Sequence, residues 1–431
     1  MNRKLSLTSL ISVFGLSIGL ITSLNSKETP NLELPSITPV NQEVKDPKEI
    51  TREESRRAFK KMNDYTFRIF SPCNMGTGWI LDYEIPENGS YPKTWYIATN
   101  LHVISRYGFS ENPYGQKLPT SKEEINRKRY RYRGIDYSKL SLYYDHCKEF
   151  EWYGYFDFNL AKEETGEELN SDMGLVAKKQ IEEPKLFYAA LNFLEEDTEN
   201  EVNKNNWKDF AVLEIKFKDE EIARKITNNF ATKYPVNTKE AINVFSDALE
   251  DRYSWDELSK LDQNFYSFAY PKTGDKFKAS KTWNEETLEA DRLSNDKYNW
   301  YHNAGEEKIP GFIAGKRIGR GLQEWGNETF NRIGHLYFLK NFPLGMGSSG
   351  AMYVDKDGNL LGLKAVVEIG KHAMHSWVDP IRSKGFTKGG IKTPKYDLIL
   401  GGDKQLTSYK QQVEKYNKKT FLRERGWKHI S

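Results

Sequence analysis

The stretch Pro343–Leu363, PLGMGSSGAMYVDKDGNLLGL, joins a glycine-rich turn to two apolar runs separated by the polar segment DKDGN. Apolar runs on either side of a polar, glycine-containing turn predict a β-hairpin. Directly before this hairpin, Ser349 lies between Ser348 and Gly350. A hydroxyl on such a tight turn can act as a nucleophile, but a Gly-Ser turn can also be a plain connection between strands. This stretch alone leaves both interpretations open.

Two other segments carry the remaining groups that a serine nucleophile requires. The run YIATNLHVI contains His102, and KDFAVLEI places Asp209 at the head of an apolar strand. An imidazole can accept the serine proton, and a carboxylate can hold that imidazole in the required tautomer. His102, Asp209 and Ser349 are therefore the candidate catalytic residues, and the N–H groups of Gly347 and Ser349 form the candidate oxyanion hole. Taken singly, His102 can equally be a core histidine and Asp209 a strand cap.

Other assignments use the same serine-containing turn. Ser348 is the rival nucleophile by adjacency, although the Gly-x-Ser-Gly register favours Ser349. An α/β-hydrolase would order its triad Ser, acid, His, and Ser349, Asp379 and His429 have that order. In that fold a helix follows the serine, whereas AMYVDKDGNLLGL predicts a hairpin, so this second assignment is disfavoured.

Composition indicates a globular chain with a substantial core. Of 431 residues, 38% are hydrophobic and 13% aromatic, and the formal net charge is only +3, so no nucleic-acid partner is implied. The basic and aromatic stretch at 126–134 can bind a polyanion or be a solvated loop. Cys73 and Cys147 can form one disulfide, but the sequence does not show that they meet. His372 and His375 lack zinc-ligand spacing, so we expect no metal and no cofactor.

The N-terminus predicts export. Arg3 and Lys4 precede an apolar stretch from Leu5 to Leu24, which is typical of a secretory signal and is also just long enough to span a bilayer. No cysteine lies at its end, which argues against a lipid-anchored lipoprotein. We therefore expect a signal peptide or membrane anchor, membrane contact only through this segment, and an extracellular or cell-surface protein.

The pattern along the chain predicts five parts and a mainly β fold. These are a signal or anchor (1–25), a polar linker (26–60), a first β-barrel with an insertion (61–235), a second β-barrel (236–402) and a C-terminal helical tail (403–431). Many short strands with turn residues between them are typical of barrels and sandwiches. The stretch after the strand DFAVLEI predicts short helices that connect the two barrels.

Several motifs occur in the order found in the trypsin-like superfamily: GTGWILD, YIATNLHVI, DFAVLEI, FAYP and the serine-containing turn. The closer similarity is to the mycoplasma immunoglobulin protease family. It is carried by GTGW (Gly76–Trp79), ATNLHV (Ala98–Val103), DFAVLEI (Asp209–Ile215) and YDLI (Tyr396–Ile399). The resemblance covers Tyr65 to Gly402, and the insertions match only loosely.

The resemblance implies a chymotrypsin-like double β-barrel with long insertions, an inter-barrel helical segment and an active site between the barrels. It implies a secreted or surface-anchored serine endopeptidase that cleaves host immunoglobulin heavy chain, with a separate immunoglobulin-binding protein as a partner. The alternatives are a non-catalytic surface binding protein on a protease fold and a general protease of secreted proteins. Pro343 stands where trypsin-type enzymes place the floor of the specificity pocket, so cleavage after Lys or Arg is not implied.

Overall fold

The structure is a computed structural model that describes most of the region from residue 57 to residue 430. The described residues are 57–58, 60–71, 74–105, 107, 109, 111–119, 155–157, 181–199, 202–254, 257, 265–269, 301–303, 312–314, 322–339, 347–367, 376–388 and 391–430. All of them belong to one compact unit, Pro47–Ser431.

Some sequence predictions lie outside the described residues. These are the signal or anchor, almost all of the linker, the basic and aromatic stretch at 126–134, both cysteines, Pro343, and the pair His372 and His375. No helix among the described residues is long and apolar enough to cross a membrane.

The described part contains seventeen strands and five short α-helices with given bounds, and the described residues at 57–58 and 60–65 are also helical. The strands are β1 (Thr66–Ser71), β2 (Asn74–Tyr83), β3 (Thr94–Thr99), β4 (Tyr155–Asp157), β5 (Lys185–Leu191), β6 (Asn206–Lys216), β7 (Phe265–Phe268), β8 (Tyr301–Asn303), β9 (Phe312–Ala314), β10 (Leu322–Trp325), β11 (Glu328–Arg332), β12 (His335–Leu339), β13 (Met352–Asp355), β14 (Leu360–Val367), β15 (Ser376–Pro380), β16 (Arg382–Lys388) and β17 (Ile391–Asp397). The helices are α1 (Glu220–Ile226), α2 (Phe230–Lys233), α3 (Leu249–Arg252), α4 (Tyr409–Lys415) and α5 (Phe421–Glu424).

The strands form two large sheets, so the mainly β class is confirmed. The first sheet has the order β10-β11-β6-β3-β2-β1-β4, with β5 also paired to β6, and the second has the order β8-β7-β13-β14-β15-β12-β9. Strands β16 and β17 form a separate hairpin. Within the described strands, neither sheet closes on itself to form a complete barrel.

Strand β6 is the centre of the first sheet. Its apolar run FAVLEI suits a strand covered on both faces, and every position before Lys216 is buried. The large side chains Trp79, Trp95 and Trp207 are fully buried in the core that surrounds it. The second sheet has a smaller cluster of its own, which includes Tyr337, Tyr353 and Val378. Packing in these two cores holds in place the strands next to which the candidate site residues lie.

The helical connection and the C-terminal tail agree with the sequence patterns in type, and side-chain caps explain where they begin. Asp219 accepts a hydrogen bond from the amide of Ile222 at the start of α1, and Ser408 accepts one from Gln411 at the start of α4. The tail packs on the first sheet, because the Tyr409 hydroxyl donates to the buried Asp82 carboxylate at 3.0 Å.

The hairpin formed by β10 and β11 belongs to the first sheet, whereas the sequence pattern assigned these residues to the second barrel. Strands β10 and β11 fall within the range assigned to the second barrel, yet β11 pairs in parallel with β6 of the first sheet. Asn331 lies opposite Asn206, and Arg332 opposite Trp207. This pairing brings Arg332 to the edge where Asp209 lies.

Candidate active site

The core of the site is a contact between His102 and Asp209. Strand β3 leads into a short 3-10 helix, Leu101–Ile104, that carries His102, and Thr99 at the end of β3 lies opposite Ala211 of β6. The imidazole Nδ1 lies 2.7 Å from one carboxylate oxygen of Asp209, and the backbone N–H of His102 donates to the other at 3.0 Å. These two contacts fix both the ring and its tautomer.

The two side chains differ sharply in their exposure. The side chain of His102 is 32% exposed, whereas that of Asp209 is 1% exposed. Asn100 Nδ2 donates to the Asp209 carbonyl at 2.7 Å and so fixes the backbone between them. An imidazole that reaches solvent, backed by a carboxylate that does not, is suited to exchange a proton with a bound molecule.

A set of buried charges lies behind Asp209, and sequence reasoning missed it. Arg332 Nη2 donates to the Asp209 carboxylate at 3.2 Å, and the Asp209 amide donates to the Asp379 carboxylate at 3.2 Å. Asp379 also forms an ion pair with the fully buried Lys208. Two cations therefore face two carboxylates. The only sequence signal was a lysine directly before Asp209 in an otherwise apolar strand.

This environment sets the charge of Asp209. Burial favours the neutral acid, but the charge and hydrogen bonds of His102, together with Arg332, outweigh it, so the pKa of Asp209 lies below its ordinary value. The plane of Arg332 is itself held against Trp207, with Cζ 4.7 Å from the ring centroid. Asp209 is thus an ionised acceptor at neutral pH.

We expect the stabilising effect of Asp209 to depend on pH. A carboxyl group with a lowered pKa in the folded state stabilises that state above its unfolded pKa, and the contribution is lost as the pH falls through the folded pKa. The difference in unfolding free energy between the native chain and Asp209→Asn should therefore be largest near neutral pH and narrow below about pH 4. Urea unfolding at several pH values measures this difference. A difference that does not change with pH would contradict the assignment.

The serine-containing turn lies against the first sheet. The Thr77 amide donates to the Ser349 carbonyl at 2.8 Å, and the Thr77 hydroxyl donates to the Gly347 carbonyl at 3.2 Å. Gly76 allows this approach, because a Cβ there would lie 2.5 Å from Val103 and 2.9 Å from the Ser349 oxygen. Close packing against this turn explains the first glycine of the GTGW motif, whereas a Cβ on the second, Gly78, would meet Phe67 and Ile69 of β1.

Gly350 brings the turn close to the segment that carries His102. It has a φ of 91°, and a Cβ there would lie 2.1 Å from the Thr77 oxygen, 2.5 Å from the Thr99 hydroxyl and 3.1 Å from the Asn100 amide nitrogen. Backbone atoms thus meet within two residues of both His102 and the candidate nucleophile. The structure brings all three predicted catalytic residues to the junction of the two sheets.

We expect Gly350→Ala to be strongly damaging. Both the positive φ and the contact with a backbone oxygen oppose a Cβ, so the turn must shift away from the first sheet. The expected loss is about 1–3 kcal/mol of unfolding free energy, which urea unfolding measures. Gly358 also has a positive φ but has nothing within 4 Å of an added Cβ, so Gly358→Ala separates backbone strain from the close approach. Equal effects of Gly350→Ala and Gly358→Ala on the unfolding free energy would contradict this explanation.

The two candidate oxyanion amides are available. Among the residues that the structure describes, the N–H groups of Gly347 and Ser349 donate to no protein acceptor, whereas those of Gly350 and Ala351 donate to the carbonyls of Lys364 and Ser348. Free amides beside a nucleophile can stabilise the negative oxygen of a tetrahedral intermediate.

The surroundings separate the candidate serines. Ser348 is fully buried, and Ser349 is partly exposed, as a nucleophile must be. The segment after Ser349 forms strand β13 paired with β14, so the hairpin predicted there is confirmed and the α/β-hydrolase assignment is wrong. Asp379, the acid of that rejected triad, is instead buried among the charges behind Asp209. Across the described ranges, no group of three or more His, Cys, Asp and Glu residues could hold a metal ion.

Comparison with known proteins gives relatives among mycoplasmas and ureaplasmas. A membrane-associated lipoprotein of Ureaplasma parvum serovar 3 is 23% identical over 418 residues, which covers 79% of this chain and 48% of the relative. The uncharacterized lipoprotein MG395 of Mycoplasma genitalium is 29% identical over 232 residues, covering 51% of this chain and 40% of the relative. The chain thus spans less than half the length of these two relatives.

A solved structure described as that of the mycoplasma MIB and MIP proteins aligns with a TM-score of 0.49 at 17% identity, over 83% of this chain and 61% of that chain. The family model described as mycoplasma immunoglobulin protease matches residues 41–365, which include the segments of all three candidate catalytic residues. This match extends over well more than half of the sequence, and the chain belongs to the mycoplasma immunoglobulin protease family.

Proposed function

We propose that the protein is a serine endopeptidase in which Ser349, His102 and Asp209 form the catalytic triad. The observation that carries the proposal is the partly exposed His102 imidazole, which is hydrogen-bonded at Nδ1 to a buried carboxylate beside a serine-containing turn. With Nδ1 held by the carboxylate, Nε2 is the nitrogen proposed to take the serine proton. Family membership supports peptide-bond hydrolysis as the reaction.

The proposed reaction has two halves. Ser349 Oγ attacks the carbonyl carbon of the substrate while His102 accepts the hydroxyl proton, and the N–H groups of Gly347 and Ser349 bind the resulting oxyanion. His102 then donates the proton to the leaving amine, which gives an acyl-enzyme. Water attacks this ester with His102 again as the base, and Ser349 is restored. Asp209 stabilises the imidazolium in both halves without itself taking the proton.

The proposed substrate is host immunoglobulin heavy chain, and the proposed place of action is the mycoplasma cell surface. The name of the family supports the substrate, and the description of a relative as a membrane-associated lipoprotein supports the location. The N-terminal apolar stretch agrees with export. A separate immunoglobulin-binding protein, implied by the family resemblance, is included as a partner that presents the substrate.

The test is incubation of the protein and its Ser349→Ala variant with purified immunoglobulin and with unfolded casein. Fragments are followed by gel electrophoresis and mass spectrometry, with and without a candidate binding partner from the same organism. The proposal predicts heavy-chain fragments that are absent from the Ser349→Ala reaction. Cleavage of casein but not of immunoglobulin would contradict the proposed substrate. Equal cleavage by the parent protein and by Ser349→Ala would contradict the proposed catalytic triad.

A further inference from the structure

A further buried cation lies on the strand that pairs with the segment after Ser349, and the proposed mechanism does not use it. Lys364 on β14 is fully buried, and its Nζ donates to the Ser376 hydroxyl at 2.6 Å. The buried cations Lys208, Arg332 and Arg382 each contact a carboxylate, and the buried Arg425 donates instead to the carbonyls of Val236 and Thr238. Among the described residues, no carboxylate forms an ion pair with Lys364.

A buried ammonium without a counter-charge is unfavourable, since the loss of hydration is not compensated. Burial lowers the pKa of Lys364 to about 7, and no neighbouring charge opposes this shift. An ammonium carries three N–H donors, and the Ser376 hydroxyl takes only one of them. Among the described residues, the Lys364 side chain therefore has no anionic partner.

Lys364 lies beside the two residues that follow the candidate nucleophile. Its amide donates to the Ala351 carbonyl at 2.8 Å, and its carbonyl accepts from the Gly350 amide at 3.0 Å. Side chains of residues that face each other across antiparallel strands lie on the same face of the sheet, so Lys364 lies alongside Ala351. Ser376, whose hydroxyl accepts the hydrogen bond from Lys364 Nζ, pairs with Leu339. Leu339 is the last residue of β12, the described strand that precedes the serine-containing turn.

The position of Lys364 favours contact with one part of a substrate, namely the side chain of the residue whose carbonyl is attacked. When a carbonyl carbon lies at Ser349 Oγ and its oxygen at the two free amides, the side chain on the same residue lies closest to the serine-containing turn. A carboxylate on that side chain would satisfy the free N–H donors and supply the missing counter-charge.

We propose that Lys364 selects substrates with an acidic side chain, so that the enzyme cleaves the peptide bond after Glu or Asp. The inference rests on the proposed function, because it takes Ser349 as the group that attacks the carbonyl. It narrows the substrate class from a peptide bond in general to one that follows a carboxylate side chain.

Binding to the full-length Ser349→Ala variant tests the inference without requiring hydrolysis. Fluorescent peptide pools carry Glu, Gln or Leu at one fixed position and mixed residues elsewhere, and fluorescence anisotropy gives their affinities. The Glu pool should bind roughly 10- to 100-fold more tightly than the Gln pool, as expected for a charge-assisted hydrogen bond. Equal binding of the Glu and Gln pools would overturn the inference.

Variants then assign the preference to Lys364. Lys364→Met has a similar length without the charge, and should bind the Glu and Gln pools equally while still binding the Leu pool. Lys364→Arg keeps a cation and should keep the preference. The exposed Lys356 on the same hairpin provides the control Lys356→Met, which should bind as the parent does. A Glu preference that persists in Lys364→Met would overturn the inference, and thermal unfolding checks that each variant is folded.

The same peptides separate this inference from the proposed function. Digestion of the pools by the protein with Ser349 intact, followed by mass spectrometry, shows which bonds are cut. Cleavage without a preference for Glu or Asp would overturn the acid site and keep the endopeptidase. Glu-selective binding with no cleavage would keep the acid site and exclude the proposed reaction.

Discussion

Replacement of Ser349 by alanine is expected to lower the rate of peptide hydrolysis by on the order of 10⁴- to 10⁶-fold. The change removes the attacking oxygen but leaves the oxyanion amides and the contact between His102 and Asp209 in place. Because Ser349 is partly exposed and its backbone carbonyl still accepts the hydrogen bond from the Thr77 amide, the fold should be retained. Initial rates on a quenched fluorescent casein measure the activity, and circular dichroism checks the fold.

Ser348→Ala is the matched control for this experiment. Ser348 is adjacent, carries the same hydroxyl group and is fully buried, whereas Ser349 is partly exposed. We expect this variant to keep its activity within roughly tenfold of the parent, the change expected from a small shift of the turn. Loss of activity in Ser348→Ala, with activity retained in Ser349→Ala, would show that Ser348 and not Ser349 is the nucleophile.

Replacement of Arg332 by methionine is expected to be the most destabilising single change at the site. The side chain of Arg332 is 4% exposed and lies between the carboxylates of Asp209 and Asp379. Its removal leaves two buried carboxylates with only Lys208 as a cation behind them, and breaking a buried ion pair on one side costs about 3–5 kcal/mol. Urea unfolding at neutral pH measures the loss.

Two controls make the Arg332 result specific. Arg332→Lys keeps the positive charge and should recover part of the stability. Lys410→Met removes a partly exposed lysine that lies 3.9 Å from Glu414, and should change the unfolding free energy by less than about 1 kcal/mol. An Arg332→Met variant as stable as the parent would show that these buried charges do not depend on one another.

Short-range patterns were enough to predict the parts of the site that each segment carries by itself. Alternating apolar residues predicted the strands, and the position of Asp209 at the head of an apolar strand predicted a carboxylate that needs a partner. The GSSGA turn predicted an exposed hydroxyl with free amides, because glycine permits a backbone that other residues resist. Each of these inferences depends on a few neighbouring residues.

The buried charges could not be predicted in the same way, because their partners are distant in the sequence. Arg332 and Asp209 are 123 positions apart, and Asp379 is 170 positions from the amide it accepts from. The parallel pairing of β11 with β6 brings Arg332 to this edge, and periodicity within one strand does not specify such a partner. Charged residues are usually exposed, so the sequence pattern does not indicate that Lys208 and Lys364 are buried.

The most direct test of the central claim is labelling with a fluorophosphonate. In this reaction a serine oxygen attacks phosphorus and fluoride leaves, which occurs readily only when a base activates the hydroxyl. Peptide mapping by mass spectrometry locates the added phosphonyl group on the full-length protein and on its His102→Ala variant. We expect a single modified residue, Ser349, and loss of labelling in His102→Ala. Labelling at another residue, or no labelling of a folded protein, would contradict it.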